Sequence, residues 1–369
     1  MASHLDVYVI LTSVGLPISF VLIWGSIRRQ LYLKYDKGQN TKTRKIESIQ
    51  ANFDLEAFQS ARAVINGAHA RAKHKQNHFQ IVMALAVGGL FTAFVLFSAE
   101  ISFQVSSSSF SKAVYTCEVL LMLSSFLALI YSRKLRREWV KRRVVAELIR
   151  RWFFFNTLLK NSALDTQGPL DQTKIRYLEY LKKLSSLKET EYNQLIQSDL
   201  DNLIENGQIM SGNLKENREK IRFYFEARVA RQASWFLNAS KRIEAFLHAR
   251  EKLLVYAFFT TLGFASIKAV YYWIGLPFDF SLIKPALTFF ALLAIGITVT
   301  SAAFLLNQGS NALQARYTEQ QKELEHVVKQ MEGTLRNPIQ SIKYFEKIMN
   351  NELLFFVHSM RSSGIEVAL

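Results

Sequence analysis

The sequence predicts an all-α membrane protein, and three observations carry that prediction. Half of the 369 residues are apolar and 13% are aromatic, which excludes disordered and collagen-like chains. Several stretches approach or exceed the roughly 20 apolar residues that a helix needs to cross about 30 Å of hydrocarbon. No window of alternating β-branched residues competes with the helical spacing. A formal charge of +16 accompanies this hydrophobicity, so we expect separate apolar and basic zones.

Five apolar stretches have about the length of a membrane span. They cover residues 5–27, 79–98, 113–131, 253–275 and 285–306. The first is interpreted as a retained anchor, because its apolar run is long, positive charge follows the run, and no small-x-small cleavage site closes it. The sequence therefore predicts five transmembrane helices.

The distribution of Lys and Arg predicts the side of the membrane on which each connecting piece lies. Residues 28–78, 132–252 and 307–369 carry 11, 25 and 7 basic residues against 4, 15 and 7 acidic ones. Residues 99–112 and 276–284 carry one basic and one acidic residue each. Since cytoplasmic flanks retain Lys and Arg, we expect an external N-terminus, a cytoplasmic C-terminus and a net charge of +17 on the cytoplasmic face.

The chain repeats one plan twice: a basic lead-in helix, a transmembrane hairpin and a polar exit helix. Neither lead-in contains an interior proline, so each is expected to continue into its span as one long helix. The predicted domains are an anchor (1–27), a first repeat (28–160), a linker with a helix (161–213), a second repeat (214–333) and a C-terminal helix (334–369).

Two amphipathic helices are predicted outside the repeats. The first lies between the Gly-Pro turn of the linker and the stop at Asn206-Gly207, and its leucines recur at roughly helical spacing. These leucines are Leu178, Leu181, Leu184, Leu187, Leu195 and Leu200. The second runs from Pro338 to about Met360. Its apolar side is predicted to contain Ile342, Phe345, Ile348 and Phe355.

Signatures of catalysis are absent from the sequence. It contains no GxxxxGK[ST], GxGxxG, HExxH or GxSxG motif. His74 and His78 lie four residues apart, but the flanking lysines would repel a metal ion, and Cys117 lies in an apolar helix without an adjacent base. One cysteine also excludes an internal disulfide and a paired-Cys zinc site. We expect no catalytic site, metal or cofactor, unless a site assembles between subunits.

The basic helix 135–151 is the candidate anion site. The predicted ligand-binding residues are Arg136, Arg137, Lys141, Arg142, Arg143, Arg150 and Arg151. Guanidinium groups suit phosphates, and the interleaved Trp139, Trp152 and phenylalanines 153–155 could stack bases. The alternative interpretation is a membrane-flanking helix with packed salt bridges, in which Arg143, Glu147 and Arg150 pair along one face.

Ionisable residues within the predicted spans form a second candidate site. Glu118 and Lys268 lie at similar depths from the outer surface, so they could pair or line one aqueous path. Further pore-lining candidates are Thr298, Thr300 and Ser301. The alternative is that Lys268 snorkels outward and Glu118 reaches the interface. Small residues in the second span predict close helix contact, through packing or oligomerisation. They are Ala84, Gly88, Gly89 and Ala93.

Two segments resemble a known family. The inner exit of the first hairpin reads W-xxx-R-xx-AE-xx-R, formed by Trp139, Arg143, Ala146, Glu147 and Arg150, and it resembles the SLATT family of bacterial membrane effectors. The Tyr- and Arg-rich sequence FYFEARVARQASWFLNASKRIEAF resembles the helix that precedes the hairpin in that family. The resemblance covers roughly residues 53–331. An extra span at 5–27 and the lack of an attached sensor domain depart from the usual layout.

The resemblance implies a pore-forming effector of anti-phage defence in the bacterial inner membrane. It implies a homo-oligomer, with a tetramer favoured, and a partner nucleotidyltransferase that supplies a nucleotide or single-stranded DNA ligand. The build is similar to the membrane component of Hailong-type systems, in which an oligodeoxyadenylate holds the effector inactive. The basic inner face suits such a polyanion. The alternative function is a non-conducting scaffold that binds anionic lipid or a protein partner.

Overall fold

A computed structural model describes residues 55–103, 108–159, 169–205, 221–274, 288, 289, 292, 296, 310–333 and 338–362. All regular elements in these ranges are helices, as the sequence predicts. The seven α-helices are α1 (Leu55–Phe103), α2 (Ser108–Leu159), α3 (Pro169–Ser186), α4 (Tyr192–Glu205), α5 (Arg231–Ile274), α6 (Ser310–Gly333) and α7 (Pro338–Ser362). A 3₁₀ turn at Glu189–Glu191 precedes α4, and a π-helical segment at Phe225–Ala230 precedes α5.

The long helices confirm that a lead-in and an apolar stretch can form one element. Helix α1 has 49 residues and α2 has 52, so each reaches more than 70 Å at about 1.5 Å per residue. No proline interrupts either helix. The predicted stretches 79–98 and 113–131 lie inside α1 and α2, and 253–274 lies inside α5. The predicted anchor 5–27 and nearly all of 285–306 lie outside the described residues.

The chain divides into two compact units. The apolar unit contains the described residues of 80–133 and 244–310. The bundle unit contains the described residues of 55–79, 134–243 and 311–362. Helices α1, α2 and α5 each contribute residues to both units. Each unit therefore combines segments that are distant in the sequence.

In the apolar unit, small residues bring α1 against α2. Ala84 and Ala93 are buried, and a Cβ at Gly89 would overlap the Ser125 hydroxyl of α2. The buried Thr92 hydroxyl donates a hydrogen bond to the Gly88 carbonyl of the same helix at 2.8 Å. The predicted close helix contact is thus found between two helices of one chain.

In the bundle unit, aromatic and aliphatic side chains from all seven helices form one core. Tyr224, Phe236 and Phe345 are fully buried, and the Tyr224 and Phe345 rings meet edge to face with centroids 6.0 Å apart. Helix α7 has the predicted start at Pro338 and extends two residues beyond Met360. Ile342, Phe345 and Ile348 are buried there as predicted, whereas Phe355 is half-buried and Phe356 takes the inward position.

The leucine-rich stretch predicted as one helix is broken in the structure between α3 and α4. The Ser185 and Ser186 hydroxyls donate back to the Leu181 and Lys183 carbonyls, so they compete with continuation of the backbone ladder. The Lys188 N–H then donates to the Glu191 carboxylate at 2.6 Å, which starts the next turn. Tyr192 donates to the Leu184 carbonyl and ties α4 to α3.

Candidate functional site

Helices α1 and α2 contain the two candidate membrane spans among the described residues. Segments Arg62–Ala99 and Tyr115–Phe155 are long and apolar enough to cross a membrane. The most apolar window of α2 is only 17% buried, against 56% for α1, so α2 presents most of its apolar surface outward. The exposed side chains of α2 include Val119, Leu120, Met122, Leu123, Phe126, Leu127 and Ile130. A contiguous apolar surface of this kind is typical of contact with lipid or another protein.

The motif residues of α2 lie inside the bundle unit. Trp139 is buried and stacks on Phe79 with ring centroids 5.7 Å apart. The Arg143 guanidinium donates to Glu352 Oε1 at 2.8 Å and lies 4.1 Å from the centroid of the Phe356 ring. Ala146 is fully buried, and Arg150 donates to both oxygens of Glu147 at 3.1 Å. These contacts join α2 to α1 and α7.

A buried ion cluster occupies the centre of the bundle unit. Arg228, in the π-helical segment, donates to both oxygens of Glu346 at 2.5 and 2.9 Å. Tyr224 donates to Glu346 Oε1 at 2.7 Å, and Arg151 Nε lies 3.7 Å from Glu346 Oε2. Arg151 is 2% exposed, and its Nη1 also lies 3.7 Å from Asp199. The π-helical segment and α2 therefore meet α7 at one carboxylate, and α4 joins them through Arg151. Segments with π-helical geometry are frequent at functional sites.

The electrostatics of this cluster follow from burial and pairing. Burial disfavours the charge of Glu346, but Arg228, Arg151 and the Tyr224 hydroxyl together outweigh burial and lower the pKa of Glu346. Burial opposes the charge of Arg228 as well, yet Glu346 raises the pKa of Arg228. Burial raises the pKa of Asp199 despite the Tyr180 hydroxyl, which donates to Asp199 Oδ1 at 2.5 Å. The Arg228–Glu346 pair is thus charged in the folded state.

The structure gives most of the predicted ligand-binding cations a partner within the protein. Arg143, Arg150 and Arg151 pair with carboxylates as described above, and Lys141 pairs with Glu138 at 2.8 Å. Arg142 donates to the Tyr177 hydroxyl at 3.3 Å. Arg136 is half-buried and Arg137 is exposed. This arrangement matches the salt-bridge interpretation of helix 135–151, and the ligand role of these residues stays a prediction.

The predicted intramembrane residues are placed only in part. Glu118 is buried on α2. Lys268 lies on α5. Thr298, Thr300 and Ser301 lie outside the described residues, and their pore-lining role stays a prediction. The Glu118–Lys268 pair stays a prediction.

The candidate metal ligands give no metal centre. The rings of His74 and His78 lie 4.7 Å apart on an exposed face of α1. Within the described ranges, no group of three His, Cys, Asp or Glu side chains is arranged to hold a metal ion.

Sequence reasoning missed the acidic half of the ion cluster. Glu346 follows Ile342 by four residues and precedes Met349 by three, so it lies on the apolar side of α7. Asp199 lies in the same way between Ile196 and Leu200 on α4. A charged residue in the apolar stripe of an amphipathic helix is the signal that identifies both.

We compared the chain with protein families, curated proteins and solved structures, and none matched it.

Proposed function

We propose that this protein is a polytopic membrane channel or pore whose helical bundle outside the lipid receives an anionic nucleotide signal. The supporting observation is helix α2, which is one unbroken helix from Ser108 to Leu159. Its first part exposes leucine, methionine and phenylalanine, and its second part anchors Arg143, Arg150 and Arg151 in the bundle unit. A continuous helix couples the two parts, because its backbone hydrogen bonds resist independent movement of either end.

The proposal includes five spans, an external N-terminus and a cytoplasmic bundle unit. The exposed apolar side chains Val255, Tyr256, Phe259, Leu262, Ile267 and Val270 of α5 support a third span. The Lys and Arg distribution supports the orientation. The duplicated two-span plan and the homo-oligomer belong to the same proposal. The resemblance to SLATT effectors supports a role in abortive-infection defence in the bacterial inner membrane, with a nucleotidyltransferase as partner.

Control of conductance is proposed to act through the ion cluster. Breaking one partner from a buried ion pair is costly, so such clusters have few alternative arrangements. A ligand that binds one arrangement better shifts the population towards it. Helix α2 contributes Arg151 to the cluster, and α5 directly follows the π-helical segment that contains Arg228. Both helices also contain an apolar stretch, so a rearrangement of the cluster would move helices that enter the membrane.

The first experiment is a single-channel recording of the purified protein in a planar bilayer. Oligodeoxyadenylate of about six residues is added to the cytoplasmic side. We expect discrete currents that close on addition, as the resemblance implies. A silent bilayer, with insertion of the protein demonstrated, would contradict the channel.

Variants of the intramembrane residues then test the conducting path. Glu118→Gln and Lys268→Ala should each change the conductance or the ion selectivity if the two residues line the path. Ser124→Ala is a matched control, because Ser124 lies on the exposed face of α2 and its hydroxyl donates to the Leu121 carbonyl of the same helix. Unchanged currents in both test variants would remove the pair from the pore.

The second candidate function is a non-conducting scaffold on anionic lipid. The observation that favours it is the exposed basic segment directly after the apolar part of α2, formed by Arg133, Lys134 and Arg137. Clusters of this kind attract acidic lipid by about 1 kcal/mol per cation near the surface. Inserted protein that carries no current but concentrates acidic lipid would favour this function.

A further inference from the structure

A polar groove in the bundle unit lies away from the predicted basic helix. It lies between α4, α6 and α7 and encloses about 820 Å³. This volume falls within the roughly 300–1,000 Å³ of small-molecule sites. Five carboxamide side chains line it: Gln197, Gln330, Gln340, Asn350 and Asn351. The groove can therefore both donate and accept hydrogen bonds along its length.

Cations and an aromatic ring occupy the α7 wall of the groove. Lys343 and Lys347 lie one helical turn apart, and Tyr344, 44% exposed, lies between them. Neither lysine forms an ion pair with a residue that the structure describes, unlike Arg143, Arg150 and Arg151. Among the described lining residues the one carboxylate is Asp201, which already accepts from Gln197 Nε2 at 3.1 Å. The α7 wall thus offers two available positive charges beside an exposed ring.

The combination favours a ligand with phosphates, stacking rings and hydrogen-bonding edges. Lysines spaced along a groove neutralise phosphates, and an exposed tyrosine stacks on a base with little dependence on which base it is. Side-chain amides bind base edges because they present a donor and an acceptor together. A short single-stranded oligonucleotide satisfies all three features.

A chain of hydrogen bonds connects the groove to the buried ion cluster. Asn350 Nδ2 donates to Gln197 Oε1 at 2.9 Å in the groove wall. The side-chain oxygen Oδ1 of Asn350 accepts from Arg151 Nη2 at 2.8 Å. A ligand that draws Gln197 or Asn350 towards itself must therefore rearrange a bond of Arg151.

We propose that the groove between α4, α6 and α7, rather than the basic helix of α2, binds a short single-stranded oligonucleotide through Lys343, Tyr344 and Lys347. The proposal deepens the proposed function, since it assigns the receiving site for the nucleotide signal. Arg151 of α2 lies behind the groove, and Asn350 transmits ligand binding to it through their hydrogen bond.

Fluorescence anisotropy tests the site directly. A fluorescein-labelled hexadeoxynucleotide is titrated with the full-length protein in detergent at several salt concentrations. Lys343→Gln/Lys347→Gln should weaken binding about tenfold and lower the slope of log Kd against log salt by about 1.4, because two phosphate contacts to a single strand are lost. Tyr344→Ala should also weaken binding about tenfold through lost stacking, and Tyr344→Phe should retain it.

The matched control is Lys322→Gln/Lys329→Gln on α6, which removes the same charge from exposed lysines outside the groove. It should leave the salt slope within experimental error of the wild-type value. Equal effects of the two double variants would overturn the site, as would the absence of wild-type binding at low salt. The far-ultraviolet spectrum and melting temperature of each variant establish that it is folded.

The experiments distinguish failure of the groove proposal from failure of the channel proposal. Oligonucleotide that closes the current equally well in wild type and in Lys343→Gln/Lys347→Gln would reject the groove and retain the function. Binding that depends on the two lysines while no current is ever carried would reject the channel and retain the groove.

Discussion

The first part of α2 exposes apolar side chains, whereas the second part buries apolar side chains together with an arginine. In the apolar unit, α2 turns Leu120, Leu123 and Phe126 outward. In the bundle unit, twenty-odd residues later, the same helix buries Arg151 at 2% exposure and fills the surroundings with valine and phenylalanine. An apolar surface is stable where the solvent is hydrocarbon, whereas a guanidinium is stable in a core only when carboxylates and amides surround it. The proposed function requires this difference, because it places the first part of α2 in hydrocarbon and the second part in the bundle unit.

The largest effect should come from breaking the buried charge pair. Arg228→Met leaves Glu346 charged without its main partner, so we expect a loss of about 3–5 kcal/mol in the free energy of unfolding. Denaturation in detergent, followed by tryptophan fluorescence, measures it. Arg222→Met is the control, because Arg222 pairs with Glu226 at 3.2 Å on an exposed surface and should cost about 1 kcal/mol at most. Arg228→Met/Glu346→Leu should recover most of the loss, and equal losses in the two single variants would contradict the contrast.

A charge on the outward face of α2 should have the next largest effect. Leu123→Arg should disfavour insertion by about 2.5–3.5 kcal/mol, because arginine is costly at the centre of a span. Leu178→Arg is a sensitive control, since Leu178 is 60% exposed against 53% for Leu123 but lies on α3 of the bundle unit. The fraction of expressed protein that inserts into the membrane should fall for Leu123→Arg and stay at the wild-type level for Leu178→Arg. Equal insertion of the two variants would contradict a lipid-facing surface on α2.

A smaller gain in the free energy of unfolding is expected from replacing Gln320, a buried polar residue. Gln320 is fully buried on α6, and neither polar atom of its amide has a hydrogen-bond partner among the residues that the structure describes. Gln320→Met should raise the free energy of unfolding by about 1 kcal/mol, because a desolvated polar group without a partner is removed. Gln321→Met is the neighbouring control, since the Gln321 amide donates to Glu325 at 2.8 Å. A loss of stability in Gln320→Met would show that the amide is satisfied in solution.

The smallest effect concerns pH. Burial raises the pKa of Asp199 above its usual 3.8, so the folded state favours the protonated carboxyl. Its contribution to stability is full below pH 3.8 and is lost as the pH rises through the raised pKa. Asp199→Asn should remove this loss, so the melting temperature of the wild type relative to the variant should fall as the pH rises from 3.5 to 7. If the difference between the two melting temperatures stays constant from pH 3.5 to 7, Asp199 does not titrate in this range.

The helices were easier to predict from the sequence than the contacts between them. Composition and spacing were sufficient for the all-α class, for α1 as one long helix and for the start of α7 at Pro338, because each depends on local propensity and on the position of proline. The break before Tyr192 was missed because leucine spacing does not register serine hydroxyls that bond to the backbone.

The candidate site was harder to predict for a different reason. The Arg143, Glu147 and Arg150 pattern indicated packing along one face, and Glu147 does pair with Arg150. Glu346 and Arg228 are 118 residues apart, so no spacing rule links them. Only the apolar neighbours of Glu346 on α7 indicate that it is buried. The groove at Lys343 and Lys347 was missed because net charge drew attention to the densest cluster, where most cations are already paired.

Because α2 is unbroken, the number of residues between its two faces is as constrained as their identities. Each residue turns an α-helix by about 100°, so one inserted alanine between Tyr131 and Arg143 would change the helical phase between Leu123 and Arg151 by about a quarter of a turn. Four inserted residues would leave an error of only about 40°. Insertions in this stretch should therefore be tolerated in steps of roughly one turn. In an insertion scan of α2, the stability of the protein should vary periodically with the number of inserted residues.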